Sequence, residues 1–301
     1  MSQTITPPPA DLNESQLQSA EGSVAIAPAP GLWSGEFLQE TLALTRRLFI
    51  QLQRRPSTLV AGIVQPLMWL VLFGALFQNV PQGLFGESAN YGQFLGAGII
   101  VFTAFGGALN AGLPVMFDRE FGFLNRLLVA PLASRFSIVL ASAIFIATLS
   151  MVQTAAIISL SAFLGAGLPN LLGLGLVVAI VLMLVLGVTA LSLGLAFALP
   201  GHIELIAVIF VINLPLLFAS TALAPLEFMP QWLQVVASLN PLSYAIEPIR
   251  YLYIHGDWSF GSVVMQAPFA NISLGTALLV LLVFDAIALF SIRSLLRRSF
   301  T

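Results

Sequence analysis

The chain has 301 residues, of which 58% are hydrophobic and only 8% charged. Soluble domains carry about 25% charged residues, so this balance excludes a soluble core and predicts an all-α integral membrane protein. The chain has no Cys and no Lys, which excludes disulfides, thiolate metal sites and Lys-dependent phosphate loops; its net charge of −2 offers nothing to a nucleic acid.

Residues 1–33 form the first expected unit. They are rich in Pro, Ala, Ser and Gln, carry acids but no base, and are expected to be a disordered tail. A secretory signal is not expected, because the segment lacks a basic start and an apolar core. The second unit, 34–56, is expected to be an amphipathic helix over Gly35–Arg55 with Ser34 as N-cap. Phe37, Leu38, Leu42, Phe49 and Leu52 would supply apolar contacts. Arg46, Arg47, Arg54 and Arg55 make the segment either an interface helix or an ordinary basic anchor beside the membrane.

The third unit, 57–298, contains six apolar runs of spanning length, near 58–79, 92–116, 136–164, 171–199, 203–224 and 271–292. Pro66, Pro114 and Pro215, with Gly96, Gly98, Gly106 and Gly107, lie inside these runs, where they permit kinks or close packing. Arg46, Arg47, Arg54 and Arg55 precede the first run. Arg119, Arg126 and Arg135 separate the second from the third, and Arg293, Arg297 and Arg298 follow the sixth. Only Arg250 lies on the other side, so the positive-inside rule predicts that both termini are cytoplasmic. Tyr91, Trp232, Tyr244, Tyr251, Tyr253 and Trp258 would form an outer aromatic belt.

Between the second and third runs lies the charged segment Phe117–Pro131. Phe117, Phe121, Phe123, Leu124, Leu127 and Leu128 share one helical arc; Asp118, Arg119, Gly122, Asn125 and Arg126 share the other. This predicts an amphipathic helix lying on the cytoplasmic surface and acting as a lever on the flanking spans. Glu120 falls inside the apolar arc. It is either a first-turn acid favoured by the helix dipole, or a tether to Arg46, Arg47 or Arg54 of the preceding helix. Arg119 and Arg126 are expected on the exposed face, meeting lipid headgroups or an acidic groove on a partner.

Two turns further on are tight: one near Pro169–Asn170, the other at Leu199–Glu204. The outer segment from about 225 to 270 is expected to hold two short helices, Phe228–Leu239 and Pro241–Ile254. Asn240 would be the N-cap of the second and Pro241 its first residue. Both are too short to span, so they would dip into the outer leaflet and return.

The chain reads as catalytically silent. His202 and His255 fall on opposite sides of the membrane and have no metal-ligand neighbours, so no metal or cofactor of its own is expected. Asp285, about two turns from Arg293, is either a proton or cation site or an interhelical hydrogen bond. Glu204 either favours a helix N-terminus or contacts a cytoplasmic partner.

The run from Asp118 to Pro131 resembles the E-x-G-x-L-x-x-L-L-x-x-P pattern of ABC-2 type transporter permeases, matching at Glu120, Gly122, Leu124, Leu127, Leu128 and Pro131. Leu239–Arg250 resembles the N-P-L-[ST]-Y signature that precedes the last span of the same family. The resemblance covers roughly residues 36–298. It implies a permease, not itself an enzyme, that works as a dimer, likewise a homodimer here, in a bacterial inner membrane. ATP and Mg would be held by separate ATPase subunits. It further implies a coupling helix carrying Asp118, Arg119, Glu120, Gly122, Asn125, Arg126 and Pro131, and a smaller ATPase contact at His202 and Glu204. Arg46, Arg47, Arg54 and Arg55 would belong to an interface helix, and Asn240, Pro241, Tyr244, Glu247 and Arg250 to an outer gate. The cargo would be an amphiphilic drug, lipid or glycan, moved out of the cytoplasm or inner leaflet. Phe73, Phe77, Phe102, Phe105, Asn213 and Phe218 are candidates for its path on apolarity alone. An ion-coupled carrier would instead need more mid-membrane ionisable groups than Asp285, and an assembly scaffold would need no cargo.

Overall fold

A computed structural model describes residues 35–77, 79, 91–122, 136–165 and 167–298. The expected tail, the Ser34 cap and the positions Asn125, Arg126 and Pro131 lie outside the described residues. In chain order the elements are α1 (Gly35–Gln53), α2 (Pro56–Leu76), α3 (Tyr91–Leu109), α4 (Gly112–Glu120), α5 (Phe136–Phe163), α6 (Leu171–Ala198) and α7 (His202–Phe218). There follow α8 (Gln231–Leu239), α9 (Pro241–Ile254), a hairpin of β1 (Val263–Ala267) and β2 (Ala270–Ser273), and α10 (Leu274–Arg298).

Among the described residues four helical units are long and apolar enough to cross a membrane: Phe94–Glu120, Phe136–Phe163, Leu171–Ala198 and Leu274–Arg293. Two of the six expected runs form shorter apolar helices, Val60–Leu76 and His202–Phe218. The α6 helix is apolar on all sides, as befits a central helix. Ile180, Leu184, Val185 and Leu193 are fully buried along it. It packs on α3, α4, α5, α9 and, most extensively, α10.

The second apolar run is broken rather than continuous. Pro114 sits in the first turn of α4, where its missing N–H costs no hydrogen bond. Ser192 of α6 joins the two halves: its hydroxyl donates to the Leu109 carbonyl (2.6 Å) and accepts from the Gly112 N–H (2.9 Å). Backbone groups freed by the break are thus satisfied by a neighbouring helix, as an apolar setting requires. A Cβ at Gly112 would overlap Ser192, so only Gly allows this approach.

The α1 helix packs on α5 through part of the expected apolar set, Phe37 and Phe49, together with two threonines. Phe37, Thr41 and Thr45 are buried, whereas Leu38 and Leu42 are exposed. Each threonine hydroxyl donates to a carbonyl one turn back, to Phe37 (2.8 Å) and to Thr41 (2.7 Å), so these small polar residues need no other partner. Phe49 meets Phe145 of α5 edge-to-face at 5.1 Å.

In the 225–270 segment, α8 starts at Gln231 rather than Phe228. A 3-10 turn covers Leu226–Phe228, and Pro230 holds the N-cap position in extended geometry. The α9 bounds are as expected. The hairpin was not anticipated; it buries Met265 and Ile272 as a facing pair and moves the start of α10 to Leu274.

The turn after α7 presses on α3 at Gly98, where a Cβ would overlap the Ala222 carbonyl; at Gly106 the same atom would meet open space. Gly98→Val is therefore expected to cost about 2 kcal/mol by overpacking. Gly106→Ala is expected to cost nothing measurable. Thermal unfolding of both variants in detergent checks the contrast.

Candidate functional site

Three consecutive charged residues end α4 at the arginine-bearing end of the bundle, and each binds a different helix. Asp118 receives a bidentate pair from Arg47 of α1, with both contacts at 2.6 Å. Arg119 reaches the end of α6 and donates to the carbonyls of Ala196 (2.9 Å), Phe197 (3.4 Å), Leu199 (2.5 Å) and Pro200 (2.6 Å). Glu120 reaches the start of α7. It accepts from the His202 N–H at 2.6 Å and lies 2.5 Å from His202 Nδ1.

The chemistry of helix ends explains this sorting. The last carbonyls of a helix lack partners and carry partial negative charge; the first N–H groups lack partners and carry partial positive charge. Arg119 satisfies the α6 carbonyls. Gly201 holds the N-cap position of α7 but has no side chain to cap with, so Glu120 supplies the oxygen from another helix. Adjacent residues of opposite charge thereby cap both sides of one tight turn. Glu204, in the first turn of α7, places its carboxylate beside Gly201 as well.

This geometry corrects three expectations about residues 118–120. Among the described residues α4 ends at Glu120 and Gly122 turns the chain at φ +72°; residues 123–131 of the expected surface helix lie outside the described residues. Glu120 is a last-turn residue, and its partner is His202 rather than an arginine of α1. The arginine contact to α1 belongs to Asp118. Arg119 is half-buried against α6 rather than facing outward. Helical spacing ranks residues by face but carries no information on which foreign helix end lies beside that face. Beyond this cluster Phe121 is 81% exposed. Phe117 stacks on Phe121 at 6.1 Å and sits 5.2 Å from the His202 ring.

A second polar cluster holds the opposite end of α7. Asn240 caps α9 through its Oδ1, which accepts from Leu242 N–H (2.9 Å). Its Nδ2 donates to the carbonyls of Leu216 (2.8 Å) and Ala219 (2.6 Å) at the end of α7. Pro241 occupies the first position of α9. Arg250 is buried. It pairs with Glu247 at 2.5 Å, donates to the Thr221 carbonyl at 2.6 Å and lies 3.6 Å above the Phe94 ring. Tyr244 is buried on the same helix. The five predicted outer residues thus come together on α9, and three of them, Asn240, Glu247 and Arg250, make the polar contacts.

A cavity of about 540 Å³ lies among α2, α3 and α5. Trp69, Phe102, Gly106, Gln153 and Asn213 line it. A second chamber of about 750 Å³ opens at the arginine end, lined by Arg54, Arg55, Leu113, Phe117 and Phe121. Leu48, Asn110, Pro114 and Phe145 line both, so the two chambers adjoin. Of the predicted path residues, Phe102 and Asn213 line the inner chamber. Phe73 and Phe77 extend a ring ladder from Trp69, with centroids 5.7 and 6.3 Å apart. Phe105 is buried in the core away from the chamber, and Phe218 is exposed. Trp69, Gln153 and Arg54 were not singled out as path residues, because periodicity alone does not distinguish a cavity wall from packing.

Among the described residues no group of three or more His, Asp or Glu is arranged to hold a metal. Apolar helices of spanning length, polar caps at both ends of a short helix and a ligand-sized chamber mark a polytopic membrane protein. The chain belongs to the ABC-2 type transporter family, whose profile matches residues 39–254. It is 54% identical over 264 residues to the putative transport permease ycf38 of Cyanophora paradoxa, covering 88% of this chain and 91% of that one. It is 55% identical over 268 residues to the protein of the same name from Porphyra purpurea, with 89% and 92% coverage. A probable doxorubicin resistance ABC transporter permease, DrrC of Mycobacterium tuberculosis strain H37Rv, is 28% identical over 224 residues, covering 71% of this chain and 76% of that protein.

The Arg47–Asp118 pair is half-buried and bidentate, which places it at the upper end of partly exposed ion pairs. A double-mutant cycle of Arg47→Ala and Asp118→Ala is expected to return a coupling of about 1 kcal/mol in detergent unfolding. Two additive single losses would show that the pair does not join α1 to α4.

Proposed function

We propose that this chain is the permease subunit of an ATP-driven exporter, paired with a second copy of itself and with separate ATPase subunits that bind ATP and Mg. The six apolar helices would all cross the membrane, with both termini in the cytoplasm. The address is a bacterial inner membrane, with DrrC as support; the ycf38 relatives point to the plastid membrane as the corresponding place. The cargo is an amphiphilic drug, lipid or glycan.

One observation carries this reading: the Asp118–Arg119–Glu120 cluster binds α1, the end of α6 and the start of α7 at a single point. An ATPase that engages the exposed tip at Phe121 would move three helices together. The α7 helix is gripped by Glu120 at one end and by Asn240 at the other, so displacement at the cytoplasmic surface reaches α9 on the outer side. Exposed apolar faces of α2, at Val64, Met68 and Leu72, and of α7, at Phe210, Val211 and Leu214, are available for the second copy.

The chain contains no native Cys, so a single thiol at Phe121→Cys reports contacts cleanly. Crosslinking in native membranes is expected to capture a nucleotide-binding ATPase; capture of lipid alone would remove the coupling assignment. Glu120→Ala uncaps α7 and is expected to lower cargo-stimulated ATP hydrolysis about tenfold, with insertion unchanged. Full stimulation in that variant would show that the Glu120–His202 contact does not transmit the stroke.

A further inference from the structure

The two adjoining chambers differ sharply in charge. Among the described residues no ionisable one lines the inner chamber; its walls are Trp69, Phe102 and Phe145 with aliphatic, small and amide side chains. The outer chamber carries three charged residues, Arg54, Arg55 and Asp118. Asp118 is neutralised by Arg47. Arg54 and Arg55 are exposed and have no ion pair among the described residues. Together the chambers have an apolar interior and a mouth bearing two positive charges with no ion pair among the described residues, at the junction of α1 and α2.

The inner chamber is a built site rather than a packing gap. Gln153 is more than nine-tenths buried and lines it; its Nε2 donates to the Gly62 carbonyl at 2.9 Å. Among the described residues its Oε1 has no partner, nor have Thr103 Oγ1 and Asn213 Oδ1 on the same walls. Buried polar atoms are seldom left unpaired, and three around one cavity mark a place where a ligand or water completes the set. A volume of about 540 Å³ falls within the ordinary range of small-molecule sites.

We propose that the adjoining chambers bind an amphiphile with an anionic headgroup, the headgroup paired with Arg54 and Arg55 and the apolar body lying between Trp69, Phe102 and Phe145. Guanidinium groups favour phosphate and carboxylate through forked hydrogen bonds. The wall aromatics supply apolar area, and a charged group would pay a large desolvation cost in the inner chamber, which fixes the orientation. This deepens the export reading, because it names the class of cargo that α1 and α2 admit.

Trp69 gives a direct readout. In the full chain with Trp33, Trp232 and Trp258 replaced by Phe, the remaining fluorescence comes from the chamber wall. The protein is placed in phosphatidylcholine nanodiscs with trace phosphatidic acid or phosphatidylcholine, each bearing the same nitroxide-labelled chain. Phosphatidic acid is expected to quench at a mole fraction at least fivefold lower. The combined Arg54→Gln and Arg55→Gln variant is expected to abolish that preference. Gly106→Met fills the chamber, because a side chain there meets open space, and is expected to abolish the preference too. Equal quenching by the two lipids would overturn the proposal. A preference that survives Gly106→Met would also overturn it, by reducing the arginines to a surface anchor. The assay uses neither ATP nor ATPase. Preference without export would therefore sink only the exporter reading, and export without preference only this one.

Discussion

The end of α4 is the constraint on which the architecture turns. A helix end in or near an apolar medium cannot leave its backbone groups unpaired, because no water stands ready to bond them. The turn between α6 and α7 is too short to provide its own caps, and Gly201 has no side chain to offer. Arg119 and Glu120 solve both problems from a third helix, and Asp118 binds a fourth. The position of α4 is thereby set by α1, α6 and α7 together, and none of these can shift there without breaking a charge-assisted bond.

The same physical device recurs at the far end of α7. Asn240 caps the start of α9 with its oxygen and the end of α7 with its nitrogen. Arg250, Glu247 and Phe94 then bind α9 to α3. The short α7, which buries only Leu205, Ile209 and Leu217, gains much of its placement from polar side chains at its two rims. The long α6 is held the opposite way, by continuous apolar packing. Rigid centre and polar rims together suit a machine that must move at its edges while staying folded.

Much of this was legible beforehand. Apolar run lengths located the helices, because crossing hydrocarbon demands about 20 residues in any context. Asn240 followed by Pro241 marked the start of α9, because an N-cap is a contact between neighbours in sequence. The charged end of α4 is where linear spacing falls short. It puts Asp118 and Arg119 on a polar arc and Glu120 on the apolar one, yet each is spent on a different partner 71 to 82 residues away. The hairpin was missed for a related reason: its two strands are short, and only the pairing of Met265 with Ile272 reveals them.

The sequence by itself determined the class of medium, the helix locations, the local caps and, through two motifs, the family. These depend on composition and on residues a few positions apart. The tertiary structure alone decided which charge meets which helix end, where the second apolar run breaks, and that two chambers lie side by side. Those outcomes depend on backbone groups left unpaired at the ends of distant helices, and linear spacing does not record how distant ends come to lie side by side.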